Sequence, residues 1–321
     1  MRIVYWASKP LAKEQVIEAV RALPNVELEI VESVAQLVDA LPGADALILY
    51  DAPVDQARQI VSAVSTPDAT IRWMHFLSAG REGFEQAGWP SQIPITFPAG
   101  AVSPTVAEHA MALLLALTRN VPAMLECQGR QDWSRMAVLR KASSLEGKTA
   151  AIVGYGQIGR QIALRARAFG MRTIGVSRVL KPDPFLDESF ALSDLERVLK
   201  VADAVMISIA LTPETLHLFD RHRLGTCKRG ALLVNVARGA IVDQPALIEA
   251  LTAGQIGGAA LDTVDPEPLP EGDPLWSAPN LIISPHLGGG GSSVSLARLA
   301  DGVVSNFRRL MAGEALKHVV N

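Results

Sequence analysis

Short apolar runs and amphipathic stretches alternate along the whole chain. The run at 2–6 precedes an amphipathic stretch at 11–22, and the run at 45–50 precedes one at 54–64. Apolar runs of about four to eight residues are typical of buried strands, and longer stretches with a period of about 3.6 residues are typical of helices. This alternation predicts an α/β protein whose parallel sheets are covered by helices on both faces.

A proline-rich segment separates two sets of alternating elements. The first set ends with the run at 72–76, prolines follow between 90 and 104, and the second set extends from Lys148 to the run at 281–284. A chain of 321 residues is long enough for two hydrophobic cores. We therefore expect two doubly wound parallel-sheet domains, with the last amphipathic stretch, 293–312, folded back onto the first domain.

The segment between the two sets has an unusual pattern. Residues 105–118 predict a helix that is apolar almost all round, and such a helix is buried on most sides, either between domains or between subunits. Residues 120–146 have weak periodicity, so we expect an irregular arm there.

Composition and charge exclude several classes of protein. Apolar residues make up 49% of the chain, the formal net charge is −3, and no basic run stands out, so nucleic-acid binding is not supported. Cys127 and Cys227 lack the spacing of a metal site or a disulfide framework. The longest apolar run, 110–117, is shorter than the ~20 residues of a membrane span. We expect a cytoplasmic protein with no metal and no membrane partner.

A glycine-rich turn follows the first apolar run of the second set. G-Y-G-Q-I-G lies between K-T-A-A-I-V and a helical pattern, which is the context of a dinucleotide-binding turn. Gly154 would permit the tight turn, Gly156 the approach of a pyrophosphate, and Gly159 close packing of helix and strand. A plain glycine-rich turn is the alternative. The candidate cofactor-binding residues of this turn are Gly154, Tyr155, Gly156, Gln157, Ile158 and Gly159.

The end of the next strand bears on the choice between the two nicotinamide cofactors. An acidic residue there would bind the ribose 2′-hydroxyl of NAD(H). This chain has Ser177 and Arg178 instead, which could hold a 2′-phosphate by hydrogen bonding and charge. We therefore favour NADP(H) over NAD(H). In the alternative, Arg178 is a solvated surface residue and Asp183 reaches back to the ribose.

Three candidate catalytic residues each follow a strand of the second set. Arg238 follows the run at 230–236, Glu267 lies in a proline-rich loop, and His286 follows the run at 281–284. Ligands of open α/β sheets bind at the carboxyl edge of the strands. A guanidinium can hold a carboxylate there, and an imidazole beside a carboxylate can exchange a proton with a carbonyl oxygen. A surface ion pair or a solvated loop carboxylate is the alternative for each residue alone.

Two further segments carry candidate binding groups. Asp262 ends a strand and could accept a hydrogen bond from a nicotinamide carboxamide, or it could simply cap its loop. In the first set, the backbone N–H groups of Ala79 and Gly80 could face an anion, and Arg81 could add charge. The alternative for this segment is an ordinary glycine turn.

These motifs resemble, in their order and over nearly the whole chain, the D-isomer-specific 2-hydroxyacid dehydrogenase family. The resemblance implies that Arg238 binds the substrate, that His286 is the acid/base and that Glu267 is its partner. It also implies that the amides of Ala79 and Gly80 bind the substrate carboxylate, and that Asp262 meets the nicotinamide. The motifs that carry it are S-A-G (78–80), T-V-A-E-H-A-M-A-L-L-L-A-L (105–117), G-Y-G-Q-I-G-R (154–160), L-T-P-E-T (211–215), N-V-A-R-G (235–239), A-L-D-T-V-D-P-E-P-L (260–269) and S-P-H-L-G-G (284–289).

The resemblance also implies a domain plan and an activity. It implies a Rossmann cofactor domain at 102–287, inserted in a flavodoxin-like substrate-binding domain made of 1–101 and 288–321, and a homodimer. Ala237 and Gly288 join the candidate cofactor-binding residues. The implied activity is the reduction of small 2-oxo acids of the glyoxylate/hydroxypyruvate type. A bulkier D-2-hydroxy acid, or a non-catalytic NAD(H)-sensing role on the same fold, is the alternative.

Overall fold

The computed structural model describes residues 1–179 and 182–320, and regular elements alternate through both ranges. The strands are β1 (Arg2–Trp6), β2 (Glu27–Val31), β3 (Ala46–Leu49), β4 (Trp73–Phe76), β5 (Ile95–Thr96), β6 (Thr149–Val153), β7 (Arg172–Val176), β8 (Glu188–Phe190), β9 (Ala204–Ile207), β10 (Ala231–Asn235), β11 (Ile256–Leu261), β12 (Leu281–Ile283) and β13 (Val319–Val320). The α-helices are α1 (Lys13–Arg21), α2 (Val34–Ala40), α3 (Val54–Val64), α4 (Glu82–Ala87), α5 (Ser103–Thr118), α6 (Val121–Gly129), α7 (Arg135–Leu139), α8 (Gln157–Ala168), α9 (Leu195–Leu199), α10 (Arg221–Thr226), α11 (Gln244–Thr252) and α12 (Ser293–Met311). Short 3-10 helices lie at Leu192–Asp194, Gly239–Ile241 and Pro274–Ser277.

The chain divides into two compact units. Unit one comprises Met1–Val102 and Ser292–Asn321, and unit two comprises Ser103–Gly291. The predicted boundaries, after 101 and before 288, differ from these by only a few residues.

Each unit contains one sheet built from parallel strands, so the predicted α/β fold class is confirmed. In unit one the strand order is β13-β5-β4-β3-β1-β2, with only β13 antiparallel to its neighbour. In unit two all strands are parallel, in the order β12-β11-β10-β9-β6-β7-β8. The order of β2-β1-β3-β4-β5 is that of flavodoxin-like folds, and β8-β7-β6-β9-β10-β11 is that of the Rossmann fold.

The core of unit one lies on both faces of its sheet. Successive residues of β3 point to opposite faces, as the strand period of two requires. Leu47 and Leu49 pack with α2 and α3, whereas Ala46 and Ile48 pack with α1 and α12. Helix α12 therefore returns to the first unit, as predicted. Strands β3 and β4 are buried along their whole length because helices cover both faces.

The sheet of unit two positions the candidate residues. Strands β6 and β9 are fully buried at its centre, and α5 packs against α8, β10 and β11. The buried positions of α5 include small residues such as Ala107 and Ala110, which permit a close approach to its neighbours. Contacts within unit two thus bury part of the apolar surface of α5.

The prediction of an irregular arm at 120–146 was wrong in part, because α6 and α7 lie there. Only Cys127 is buried in α6, and no residue of α7 is buried. A helix that packs little against a core needs no apolar stripe, which explains why the sequence shows weak periodicity.

No single helix in the two described ranges is long and apolar enough to cross a membrane. Helices α5 and α6 meet the criteria of length and composition only when joined across a 64° bend.

Candidate active site

The glycine turn between β6 and α8 has a distinct steric reason at each glycine. Gly154 has φ +97°, and a Cβ there would lie 2.3 Å from the backbone N of Ile209. A Cβ on Gly159 would lie 2.4 Å from the carbonyl O of Gly154. By contrast, apart from Gly156 itself and its two chain neighbours, no described residue has an atom within 4 Å of a Cβ built on Gly156, so this face of the turn is open. The turn is therefore closed toward the sheet and open on the side that a pyrophosphate would approach.

Helix α8 begins directly after this turn, with Gly156 as its N-cap. Among the described residues, no side chain caps its first turn. The N–H groups of Gln157, Ile158 and Gly159 at the start of the helix therefore keep their capacity to bind an anion, and the positive end of the helix dipole adds to it. These features fit the diphosphate of a dinucleotide.

A cavity of about 310 Å³ lies beside the turn, at the end of β7. Ser177, Arg160 and Asp183 are among its lining residues. Asp183 Oδ2 accepts a hydrogen bond from Arg160 Nε at 2.7 Å, and its Oδ1 accepts one from the Phe185 N–H at 3.0 Å. Desolvation acts to raise the pKa of Asp183, but these hydrogen bonds hold it below its ordinary value.

The two residues proposed as alternatives to bind the cofactor ribose, Asp183 and Arg178, lie in different surroundings. Asp183 lies in the cavity together with Ser177, whose hydroxyl donates to the Val179 carbonyl at 2.7 Å. Arg178 is exposed and is not among the residues that line the cavity. Hydrogen bonds lower the pKa of the Glu214 carboxyl, and the charge of Arg178 makes a smaller contribution in the same direction. The structure therefore brings Asp183, rather than the guanidinium of Arg178, to the cavity wall.

Three adjacent strands bring the candidate catalytic residues to one edge of the sheet. Arg238, Glu267 and His286 follow β10, β11 and β12, which pair in parallel. The Nδ1 atom of His286 lies 2.9 and 3.0 Å from the two carboxylate oxygens of Glu267. Their side chains are 47% and 41% exposed, so the pair is accessible from solvent.

The backbone around Arg238 is fixed by Asn235, a residue that sequence reasoning missed. The side chain of Asn235 is fully buried, accepts the Ala237 N–H at 3.0 Å and donates to the Arg238 carbonyl at 2.8 Å. The guanidinium of Arg238 donates to the Ala237 carbonyl at 2.7 Å. An asparagine that ends a buried strand was the signal, because a buried amide needs partners.

Asp262 forms the centre of a hydrogen-bond network after β11. Its Oδ1 accepts the Ser284 hydroxyl at 2.6 Å and the Leu287 N–H at 3.0 Å, and its Oδ2 accepts the Gly288 N–H at 3.0 Å. The backbone N–H of His286 donates to the Asp262 carbonyl at 2.8 Å. Asp262 therefore caps the loop that carries His286.

The segment 78–81 of unit one is also held in place by a residue that the sequence did not indicate, Asp51. Asp51 accepts the backbone N–H groups of Gly83 and Phe84, at 3.2 and 3.3 Å. The Ser78 hydroxyl accepts the Asp51 N–H at 2.9 Å and donates to the Gly80 carbonyl at 2.9 Å. Burial raises the pKa of Asp51, although these backbone hydrogen bonds act to lower it.

The three candidate residues of this segment have different surroundings. Ala79 is exposed and Gly80 is half-buried, and within the described ranges neither backbone N–H has an acceptor. Arg81 Nε lies 2.6 Å from Glu85, and its guanidinium lies over the ring of Phe97 at 5.4 Å. The charge of Arg81 is thus already paired within its own unit.

Two other features of the described residues bear on the site. No group of three or more His, Cys, Asp and Glu side chains within 1–179 and 182–320 could hold a metal ion. A larger cavity, of about 570 Å³, lies at the opposite edge of the second sheet, near Lys148 and Asp203. None of the candidate site residues lines it.

Comparison with known proteins decides the family. The family model described as D-isomer specific 2-hydroxyacid dehydrogenase, NAD binding domain, matches residues 111–288, which is more than half of the chain. The chain belongs to this family. The recognition from sequence motifs is confirmed, and an NAD-binding domain is present in this D-2-hydroxyacid dehydrogenase family oxidoreductase.

Relatives within the family have several names. A glycerate dehydrogenase of Methylorubrum extorquens is 32% identical over 87% of this chain and 86% of its own length. A glyoxylate reductase of Korarchaeum cryptofilum is 35% identical over 71% of this chain and 69% of its own length. A D-3-phosphoglycerate dehydrogenase of Methanocaldococcus jannaschii is 37% identical over 69% of this chain, and the match spans 42% of that relative.

A solved structure extends the likeness to both units. A D-isomer specific 2-hydroxyacid dehydrogenase family protein from Aeromonas salmonicida has a TM-score of 0.85 and 28% identity, over 100% of this chain and 98% of its own. The family therefore accounts for the fold as well as for the motifs, while the names of the relatives differ in substrate.

Proposed function

We propose that this chain reduces small 2-oxo acids of the glyoxylate/hydroxypyruvate type to 2-hydroxy acids, using NAD(P)H. The observation that carries the proposal is the contact of His286 Nδ1 with Glu267, on the same sheet as the glycine turn. The open face of Gly156 and the uncapped start of α8 fit a dinucleotide. The relatives named glyoxylate reductase and glycerate dehydrogenase support the substrate class.

The proton transfer is assigned to His286. A bound nicotinamide would supply the hydride to C2 of the acid, and the carbonyl oxygen then needs one proton. Because Nδ1 of His286 faces Glu267, that ring atom donates to the carboxylate, and Nε2 is left to protonate the substrate oxygen. In the reverse direction the same nitrogen takes the proton back. Glu267 orients the ring by accepting the hydrogen of Nδ1.

Substrate binding is assigned to Arg238. A guanidinium can hold the carboxylate of a 2-oxo acid by paired charged hydrogen bonds. Asn235 fixes the backbone of this segment, so that the arginine starts from a defined position. We also propose Ala79, Gly80 and Arg81 as substrate-binding residues. The support for Ala79 and Gly80 is their backbone N–H groups, which have no acceptor within the described ranges, together with the resemblance. The support for Arg81 is its positive charge next to them. Asp262, Ala237 and Gly288 are proposed to contact the cofactor.

We propose a preference for NADP(H) over NAD(H). The absence of an acidic residue at the end of β7 and the polar side chains of Ser177 and Arg178 support it. The charge of Asp183, which would oppose a 2′-phosphate, is paired with Arg160. The alternative is that Asp183 binds the ribose 2′-hydroxyl, and NAD(H) is then preferred.

We propose that two copies associate through the arm after α5. This arm exposes large apolar side chains, which is typical of an interface. They are Met124, Leu125, Trp133, Met136 and Leu139, and Trp133 is 96% exposed. Light scattering would show a mass of twice 34.3 kDa if a homodimer forms. We keep the cytoplasm as the predicted location.

The assignment of His286 has a matched control in the same unit. His222 also faces a carboxylate, Glu196, at 3.4 Å, but on the surface at 71% exposure. We expect His286→Gln to lower kcat by about 10²- to 10⁴-fold, the usual contribution of a general acid, and His222→Gln to leave it unchanged. Arg238→Ala should also raise KM. Steady-state kinetics would reject the acid/base role if His286→Gln turned over at the wild-type rate.

A further inference from the structure

An imidazole from α5 reaches the network around Asp262. His109 Nε2 lies 3.1 Å from Asp262 Oδ1 and 3.0 Å from the Ser284 hydroxyl oxygen. The side chains of His109 and Asp262 are only 19% and 3% exposed. His109 and Ser284 are 175 positions apart, so no local pattern in the sequence indicates this contact.

The hydrogen atoms of this network can be assigned. The single hydroxyl hydrogen of Ser284 goes to Asp262 Oδ1, at 2.6 Å. His109 Nε2 must therefore carry a hydrogen, which it shares between Ser284 Oγ and Asp262 Oδ1. Among the described residues, Oδ1 then has the donors of three residues, whereas Oδ2 has only the Gly288 N–H. The acceptor capacity left on the carboxylate is thus mainly on Oδ2.

The network is packed closely, so a small change in it would move the loop. A Cβ on Gly288 would lie 2.8 Å from Asp262 Oδ2 and 3.3 Å from His109 Cδ2. His109 lies on a long helix whose buried residues pack on β10 and β11, so the imidazole comes from a rigid element. The loop from Ser284 to Gly288 carries the candidate acid/base between residues that Asp262 holds.

We propose that His109 is a positioning residue. By donating from Nε2, it fixes the rotamer of the Asp262 carboxylate and, through Ser284 and Asp262, the loop that carries His286. Oδ2 of Asp262 is thereby kept available for an amide donor of the cofactor. This inference rests on the proposed function for its catalytic consequence, but the effect on the loop does not depend on turnover.

The test compares two substitutions of His109 in the cofactor-free chain. His109→Leu removes the donor, and His109→Gln replaces it with an amide N–H of similar reach. Losing a hydrogen bond to a charged acceptor changes an opening equilibrium constant by about 10- to 100-fold. We expect amide exchange of Leu287 and Gly288 to be faster by that factor in His109→Leu, and within about threefold of the wild type in His109→Gln. His222→Leu is the surface control.

Binding and kinetics complete the test. NADPH and NADH fluorescence titrations should show a weaker Kd for His109→Leu, and kcat should fall more than KM changes. The double variant Ser284→Ala, His109→Leu should weaken cofactor binding by less than the product of the two single factors, because both residues act on one network. Wild-type amide exchange in His109→Leu, or equal losses in the Leu and Gln variants, would overturn the inference. If the wild type itself shows no turnover, the proposed function fails, and amide exchange still decides the role of His109.

Discussion

The buried imidazole of His75 makes the stability of the protein depend on pH. His75 lies in β4 with 0% exposure, and its Nδ1 lies 2.7 Å from the Thr96 hydroxyl oxygen. Its Nε2 is buried without a hydrogen-bond partner among the described residues. Burial, and secondarily the charge of His318, lower the pKa of His75 from 6.5 to about 3.

The sign and size of the effect follow from proton linkage. Below pH 6.5 the unfolded chain binds a proton at His75 and the folded chain does not. The free energy of unfolding therefore falls by about 1.4 kcal/mol for each unit by which the pH is lowered, until the pH approaches the pKa of His75 in the folded state. Between about pH 7 and pH 4.5 this group alone lowers the free energy of unfolding by about 2 to 3 kcal/mol, a large share of the stability of an ordinary protein.

His75→Asn tests this reasoning, because asparagine can keep the hydrogen bond to Thr96 without a titrating group. The variant should be less stable at pH 7, since a smaller side chain leaves a cavity, but its stability should fall less on acidification. Urea unfolding at several pH values, followed by tryptophan fluorescence, gives the difference. His217→Asn, at an exposed position with φ +48° that asparagine tolerates, is the control. Parallel pH curves for wild type and His75→Asn would refute the linkage argument.

Three further substitutions probe the cofactor site. Gly154→Ala should abolish cofactor binding, because Gly154 has φ +97° and the added Cβ would lie 2.3 Å from a backbone atom. Gly156→Ala should fold normally and weaken cofactor binding only by obstructing the ligand. Melting curves and cofactor titrations separate the two variants, and a Gly154→Ala variant that melts normally and binds the cofactor tightly would contradict the steric argument. Arg178→Ala should weaken NADPH binding by about 10-fold or more and leave NADH nearly unchanged, if its charge holds the 2′-phosphate. Equal effects on both cofactors would reject that role.

The sequence predicted features that depend on local pattern. Alternating apolar runs predicted both parallel sheets, and the position of Arg238 and His286 after strands predicted that they share one sheet edge. The Rossmann turn was recognisable because its glycines, its strand and its helix are adjacent in the chain. Motifs whose residues are close together in the chain are therefore accessible without a structure.

Features that depend on distant contacts were missed. His109 and Ser284 are 175 positions apart, and Asp51 holds a loop 32 positions away through Gly83. No periodicity reports such contacts. The contact of Arg81 with Glu85, one helical turn later, was not predicted, and the role of Arg81 at the substrate stays a prediction. The short helices of the arm were missed because a helix with little buried surface shows no stripe.

The most direct test of the proposed function is the loss of reduced-cofactor absorbance in the presence of 2-oxo acids. NADPH and NADH are each offered with glyoxylate, hydroxypyruvate and bulkier 2-oxo acids, and His286→Gln serves as the matched inactive variant. We predict turnover of the small acids, faster with NADPH, that disappears in the variant. Tight cofactor binding without turnover of any 2-oxo acid would contradict the account and favour a sensing role.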